Sequence, residues 1–75
     1  MNLRIRELAE QAEFSEKELH FAGDNFQKFA ELIVKDCISQ VDKIRDGLEA
    51  DGEDQQALGA DWAGLAIARH FGVAD

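Results

Sequence analysis

The sequence has no proline and no tyrosine, a single cysteine, a single tryptophan, and eight basic residues against sixteen acidic ones. Each shortage excludes something. Without proline, no helix along the chain is broken by a missing backbone donor and a ring clash. Cys37 alone forms no internal disulfide, which closes the commonest device for stiffening a short chain and points to a reducing compartment. A net charge of −8 with dispersed Lys and Arg offers no basic patch for phosphates, so direct nucleic-acid binding is not expected. No apolar run approaches the ~20 residues of a membrane span. The N-terminus also has no run of signal-peptide type. A membrane partner is therefore not expected, and the chain reads as cytoplasmic. No stretch alternates with period two, so no strand is expected.

What is present is hydrophobic enough to fold: 45% apolar residues with five Phe are too many for a disordered acidic tail. Residues 1–75 read as a single helical domain. A chain this short buries only about 60% of its unfolded surface, and such a core rarely supplies more than ~3–5 kcal/mol. With no disulfide and no evident metal cluster, association is the remaining device. A homo-oligomer is expected, the dimer favoured. The excess acid keeps a small apolar protein soluble, or meets a basic partner.

The fold class expected is all-α, a small bundle of three principal helices at about 3–12, 25–48 and 55–71, with a short capped helical turn near 16–21. The first helix carries Ile5, Leu8, Ala9 and Ala12 on one face and starts at an Asn2 cap. Ser15-Glu16-Lys17-Glu18 matches a capping box, flanked by Phe14 and Leu19 as a hydrophobic staple. Ala22-Gly23 then ends the turn, and Asp24 or Asn25 caps the long helix. That helix has the clearest pattern in the chain: Phe26, Ala30, Ile33, Cys37, Val41, Ile44 and Leu48 step by three or four residues. Phe29, Leu32, Val34 and Ile38 widen the stripe. At about 1.5 Å per residue the helix spans roughly 35 Å, more than either neighbour covers. Gly47 and residues 50–54 end it in a loop. The last helix starts at an Asp54 cap and stops at Gly72. It sets Leu58, Trp62 and Leu65 on one face, is otherwise rich in Ala and Gly, and is expected to pack antiparallel on the long helix.

Few residues suggest chemistry. Cys37 lies on the apolar stripe and is expected to be a buried small hydrophobe; a nucleophile there would need a base or a positive environment, and a position near a dimer axis is the third possibility. His20 and His70 lack the paired spacing of a helix-borne zinc site. The acidic run Asp46, Glu49, Asp51, Glu53, Asp54 has calcium-like oxygens. However, setting Gly52 at the sixth position of an EF-hand puts Gly47 and Leu58 where ligands belong. Trp62 is expected in the core; exposed, it would anchor a partner. No phosphate loop, nucleophile elbow or catalytic carboxylate pair is visible, so neither enzyme activity nor a cofactor or metal is expected. The candidate interaction residues are Phe29, Leu32 and Ile38 if the stripe is incompletely covered, Trp62, and the acidic loop Asp51, Glu53 and Asp54.

Three blocks, the stretch 4–12 reading RIRELAEQA, the stretch 29–37 reading FAELIVKDC and the stretch 68–73 reading ARHFGV, together resemble a group of short proteins encoded by tailed bacteriophages. Such proteins are generally uncharacterised, so the resemblance implies a phage gene expressed in a bacterial cytoplasm and carries no reaction. Many very small phage proteins act by binding a host protein. The function expected is thus an accessory protein that binds a host factor, self-associates, or both. One alternative is an acidic DNA mimic that occupies a nucleic-acid-binding protein. A second is an oligomer holding a small molecule between helices, disfavoured by the net charge for any anionic ligand.

Overall fold

The computed structural model describes residues 2–73. Three helices form as expected: α1 Leu3–Gln11, α2 Glu16–Ala50 and α3 Asp54–Phe71, with no strand among the described residues. The chain extends 51 × 18 × 16 Å, and its long dimension is that of α2, whose 35 residues at about 1.5 Å each give ~52 Å.

α1 begins at the expected cap, where Asn2 Oδ1 accepts the backbone N–H groups of Arg4 (3.0 Å) and Ile5 (3.3 Å). The same residue does more. Its backbone N–H donates to Gln27 Oε1 on α2 at 2.6 Å, and its amide Nδ2 donates to the carbonyl oxygen of Phe71 at the end of α3. Asn2 therefore ties the start of one helix to the flank of the second and the end of the third. Around this junction Ile5, Ala9 and Leu19 are buried, and the rings of Phe14 and Phe26 pack in a tilted arrangement, 4.7 Å between centroids and 55° between planes.

α2 starts at the capping box: the Glu18 N–H donates to Ser15 Oγ, and the Ser15 N–H to Glu18 Oε1, both at 3.1 Å. The expected break at Gly23 does not occur. Gly23, Asp24 and Asn25 are helical, and the capped turn is the first turn of one continuous helix. Gly inside a helix costs only about 1 kcal/mol relative to Ala. Leu19 before the glycine and Phe26 after it both pack toward the α1 end, which holds the intervening turn in line.

All three helices end in one way, with the N–H two residues beyond the last turn bonded back across a left-handed residue. The bonds are Phe14 N–H to Ala9 O (3.0 Å), Glu53 N–H to Leu48 O (2.8 Å) and Val73 N–H to Ala68 O (2.9 Å). The left-handed residues are Glu13 (φ 70°), Gly52 (φ 78°) and Gly72 (φ 63°). Gly52 is thus a helix stop and Gly72 is the expected one. Glu13 occupies without glycine a conformation that costs an L-residue about 1–2 kcal/mol, so no residue type announced it. Asp54 is the first residue of α3 and not its cap; Glu53 stands at the N-cap position with no side-chain bond.

α3 folds back antiparallel on α2 and buries its small side. Ala57, Gly64 and Ala68 face inward, while Leu58, Trp62 and Leu65, expected to pack as a face, point out. Facing α3, the buried positions of α2 are Val34 and Ile38, whereas Ile33 and Ile44 of the expected stripe are exposed, as is Cys37. At about 100° per residue, the apolar arc of α2 from Leu32 round to Ile38 covers roughly two-thirds of the circumference. Periodicity could not choose which part of that arc would meet α3. The core that results joins Val34, Ile38, Ala68 and Val73, with Ile67 and Phe71 against it.

Two glycines of α3 should respond oppositely to alanine. A Cβ on Gly64 would meet Val41 Cγ1 at 3.6 Å and Asp42 Oδ1 at 3.7 Å, ordinary contacts, so Gly64→Ala is expected to raise stability by up to about 1 kcal/mol through helix propensity. At Gly72 the Cβ would stand 3.0 Å from Asn2 Nδ2 on a positive-φ backbone, and Gly72→Ala is expected to lower stability by about 1–2 kcal/mol. Thermal melts followed by circular dichroism measure both. The capping box adds a pH dependence: the bonds from the Ser15 backbone and hydroxyl hold the Glu18 carboxyl below its usual value. A carboxylate lowered by folding stabilises above its unfolded pKa and loses that contribution as pH falls through the folded value. The Glu18→Gln variant should therefore lose less stability than the parent on acidification through the carboxylate range.

Candidate interaction surfaces

The plane containing the axes of α2 and α3 divides the exposed apolar residues into two groups. On one side, α2 presents Phe29 (62% exposed), Ile33 and Ile44 (63% exposed), with Cys37 also exposed, and Leu32 extends the group round the back of the helix. This stripe runs into an apolar hollow of about 270 Å³ lined by Leu8, Ala12, Phe26, Ala30, Ile33 and Phe71, where α1 only partly roofs the junction. Of the candidate residues on the long helix, Phe29 and Leu32 are thus on the surface. Ile38 is not: at 5% exposure it belongs to the core, because it lies on the part of the arc that Ala68 and Gly64 approach.

On the other side, α3 presents Leu58, Trp62 and Leu65 beside the polar flank of α2. Trp62 is 64% exposed, which corrects its expected place in the core. Small residues at the α2–α3 contact leave no space for an indole, and the helix turns its large side chains outward.

Between the helices on this side sits a charged hub that the sequence pattern did not single out. Arg45 Nη1 donates to Asp61 Oδ1 of α3 at 2.9 Å, and the same guanidinium pairs with Asp42 at 3.4 Å and Asp46 at 3.2 Å. The bonds to Asp61 and Asp46 hold the Arg45 pKa above its ordinary value, so its charge persists at every working pH. The signal available was Asp61 itself, the one charged residue between Asp54 and Arg69 in an otherwise neutral helix. Asp51, Glu53 and Asp54 stand exposed at the α2–α3 connection. Together they make this end of the rod strongly negative: residues 42–61 hold seven acids and two bases.

His20 and His70 are exposed and pack edge-on against their neighbours Phe21 (5.4 Å) and Phe71 (4.9 Å). Among the described residues no group of three His, Cys, Asp or Glu side chains is placed to hold a metal ion, and no helix is long and apolar enough to cross a membrane. Compared with known proteins, the chain matches no family model, no curated protein and no solved structure.

Removing the hub cation leaves three carboxylates facing one another. Arg45→Met is expected to lower Tm by on the order of several degrees. The double variant Arg45→Met, Asp61→Asn should recover part of that loss, and molar salt should narrow the gap by screening the repulsion. A double-mutant cycle on thermal melts checks the coupling.

Proposed function

We propose that the chain is a non-catalytic protein-interaction module that pairs with a second copy through the bare stripe of α2. In the bacterial-host setting implied by the bacteriophage resemblance, the paired form presents its remaining surfaces to a host protein in the cytoplasm. The observation that carries the pairing is the mismatch between core and surface. Among the described residues the core comprises eight hydrophobic side chains, three of them alanine, while Phe29, Leu32, Ile33 and Ile44 stay in water along one helix. Full burial is worth about 1.5–3 kcal/mol for a large side chain, and these are 49–63% exposed, so covering each contributes roughly half of that before the cost of association.

Charge sets the direction of pairing. The acidic end at residues 42–61 would abut its copy in a parallel pair and lies at opposite ends of an antiparallel one, which lowers the repulsion. An antiparallel two-fold pair centred on the stripe sets Phe29 of each copy against Ile44 of the other. Its axis passes between positions 36 and 37, so the two Cys37 residues come beside each other.

Sedimentation equilibrium across the micromolar range should give twice the 8.4 kDa chain mass. Ile33→Glu should shift the equilibrium at least ~10-fold toward monomer while helical ellipticity is retained. Mild oxidation should join two chains through Cys37. A monomer throughout the range, or a dimer indifferent to Ile33→Glu, overturns the pairing.

A further inference from the structure

The surface on the other side of the hairpin carries a more specific demand. Leu58, Trp62 and Leu65 follow one another at intervals of four and three, one ridge along α3. Beside it runs a groove against α2 with two hollows. The larger, about 560 Å³, is lined by Arg45, Asp46, Glu49, Asp54, Leu58 and Asp61; the smaller, about 180 Å³, by Lys35, Ile38, Ser39 and Asp42. Five carboxylates thus border the groove against two cations. Arg45 is already engaged by three of them, so Glu49 and Asp54 face the opening with no basic partner among the described hydrogen bonds and ion pairs.

We propose that this groove takes a cationic amphipathic helix from another protein, with apolar residues at intervals of three and four laid on the Leu58–Trp62–Leu65 ridge and Lys or Arg along its edges. The occupant follows from the chemistry of the two walls. An apolar ridge alone would accept any greasy surface; the surplus carboxylates beside it select positive charge and repel nucleic acid, acidic segments and anionic lipid. A helix fits because the groove lies between two helices and, among the described residues, there is no sheet edge to which an extended segment could add. Trp62 gives the site an anchor of the type that dominates binding energy when it becomes covered. The proposal rests on the module being an interaction protein, but uses a different surface from the pairing stripe.

The chain's only tryptophan makes the test direct. Purified protein is titrated with a tryptophan-free synthetic helix of leucine and lysine in amphipathic register, and with a control carrying glutamate for lysine. The lysine peptide should shift Trp62 emission to the blue with saturation in the micromolar range. Raising the salt to half-molar should weaken the complex by ~10-fold or more. Leu58→Ser should abolish the shift, and the pair Glu49→Gln, Asp54→Asn should weaken binding about 5-fold or more, with ellipticity showing that each variant still folds. Sedimentation of the same samples reports pairing separately, so loss of one interaction is not mistaken for loss of the other. No saturable shift, an equal shift with the glutamate peptide or with anionic vesicles, or affinity unchanged by salt or by these substitutions overturns the proposal.

Discussion

The close antiparallel contact of α2 and α3 is the constraint on which the remainder of the molecule depends. It is made by small residues of α3: Gly64 and Ala68 against Val34, Ile38 and Val41, and Ala57 beside Arg45 and Glu49. Two consequences follow from that choice. The contact between the helices involves few large side chains of α3. The large side chains of α3 are then forced to the outside, and α2 is turned so that Val34 and Ile38, not Ile33 and Cys37, meet the partner. A hairpin built on small residues stabilises itself modestly and displays its large ones.

The Arg45 hub locks this arrangement. Exposed ion pairs are individually worth little, but one guanidinium shared by Asp42, Asp46 and Asp61 also fixes the register of α3 along α2. At the opposite end Asn2 does the corresponding work with hydrogen bonds to all three helices. Between the two locks the chain has a core without a large fully buried side chain among the described residues, and this thinness is the ground for the proposed pairing.

The two faces of the hairpin differ in chemistry, not only in position. The stripe on α2 is mostly apolar, interrupted by the exposed Gln40, and continues into an apolar hollow, which suits the self-pairing proposed for it. The ridge on α3 is apolar but bordered by carboxylates, which suits a positively charged partner. One small helical unit thereby offers two surfaces of different chemistry, so the two proposed partners would not compete for one site.

Much of this was legible in the residues. The caps at Asn2 and Ser15 and the stop at Gly72 follow from local hydrogen-bonding rules, which act over a few residues and leave a signature in sequence. The all-helical character follows from apolar spacing, and the antiparallel return of α3 from the short connection between α2 and α3. Phe29 and Leu32 were also readable as surface candidates, because the apolar arc of α2 is wider than one neighbour can cover. Three things were decided only in the tertiary structure. Gly23 stays helical because packing at Leu19 and Phe26 outweighs a small intrinsic cost. Ile38 goes inside and Trp62 outside because the rotation of each helix is set by what fits against the other, and a two-thirds-wide apolar arc leaves that rotation open. Arg45 finds Asp61 because the turn at Gly52 brings together residues sixteen positions apart, a distance at which periodicity carries no information. Sequence by itself determined that the chain is helical and where the caps at Asn2 and Ser15 and the stop at Gly72 lie, because those signals are local; the fit of side chains between helices decided that α2 runs unbroken through Gly23 and which faces stay exposed.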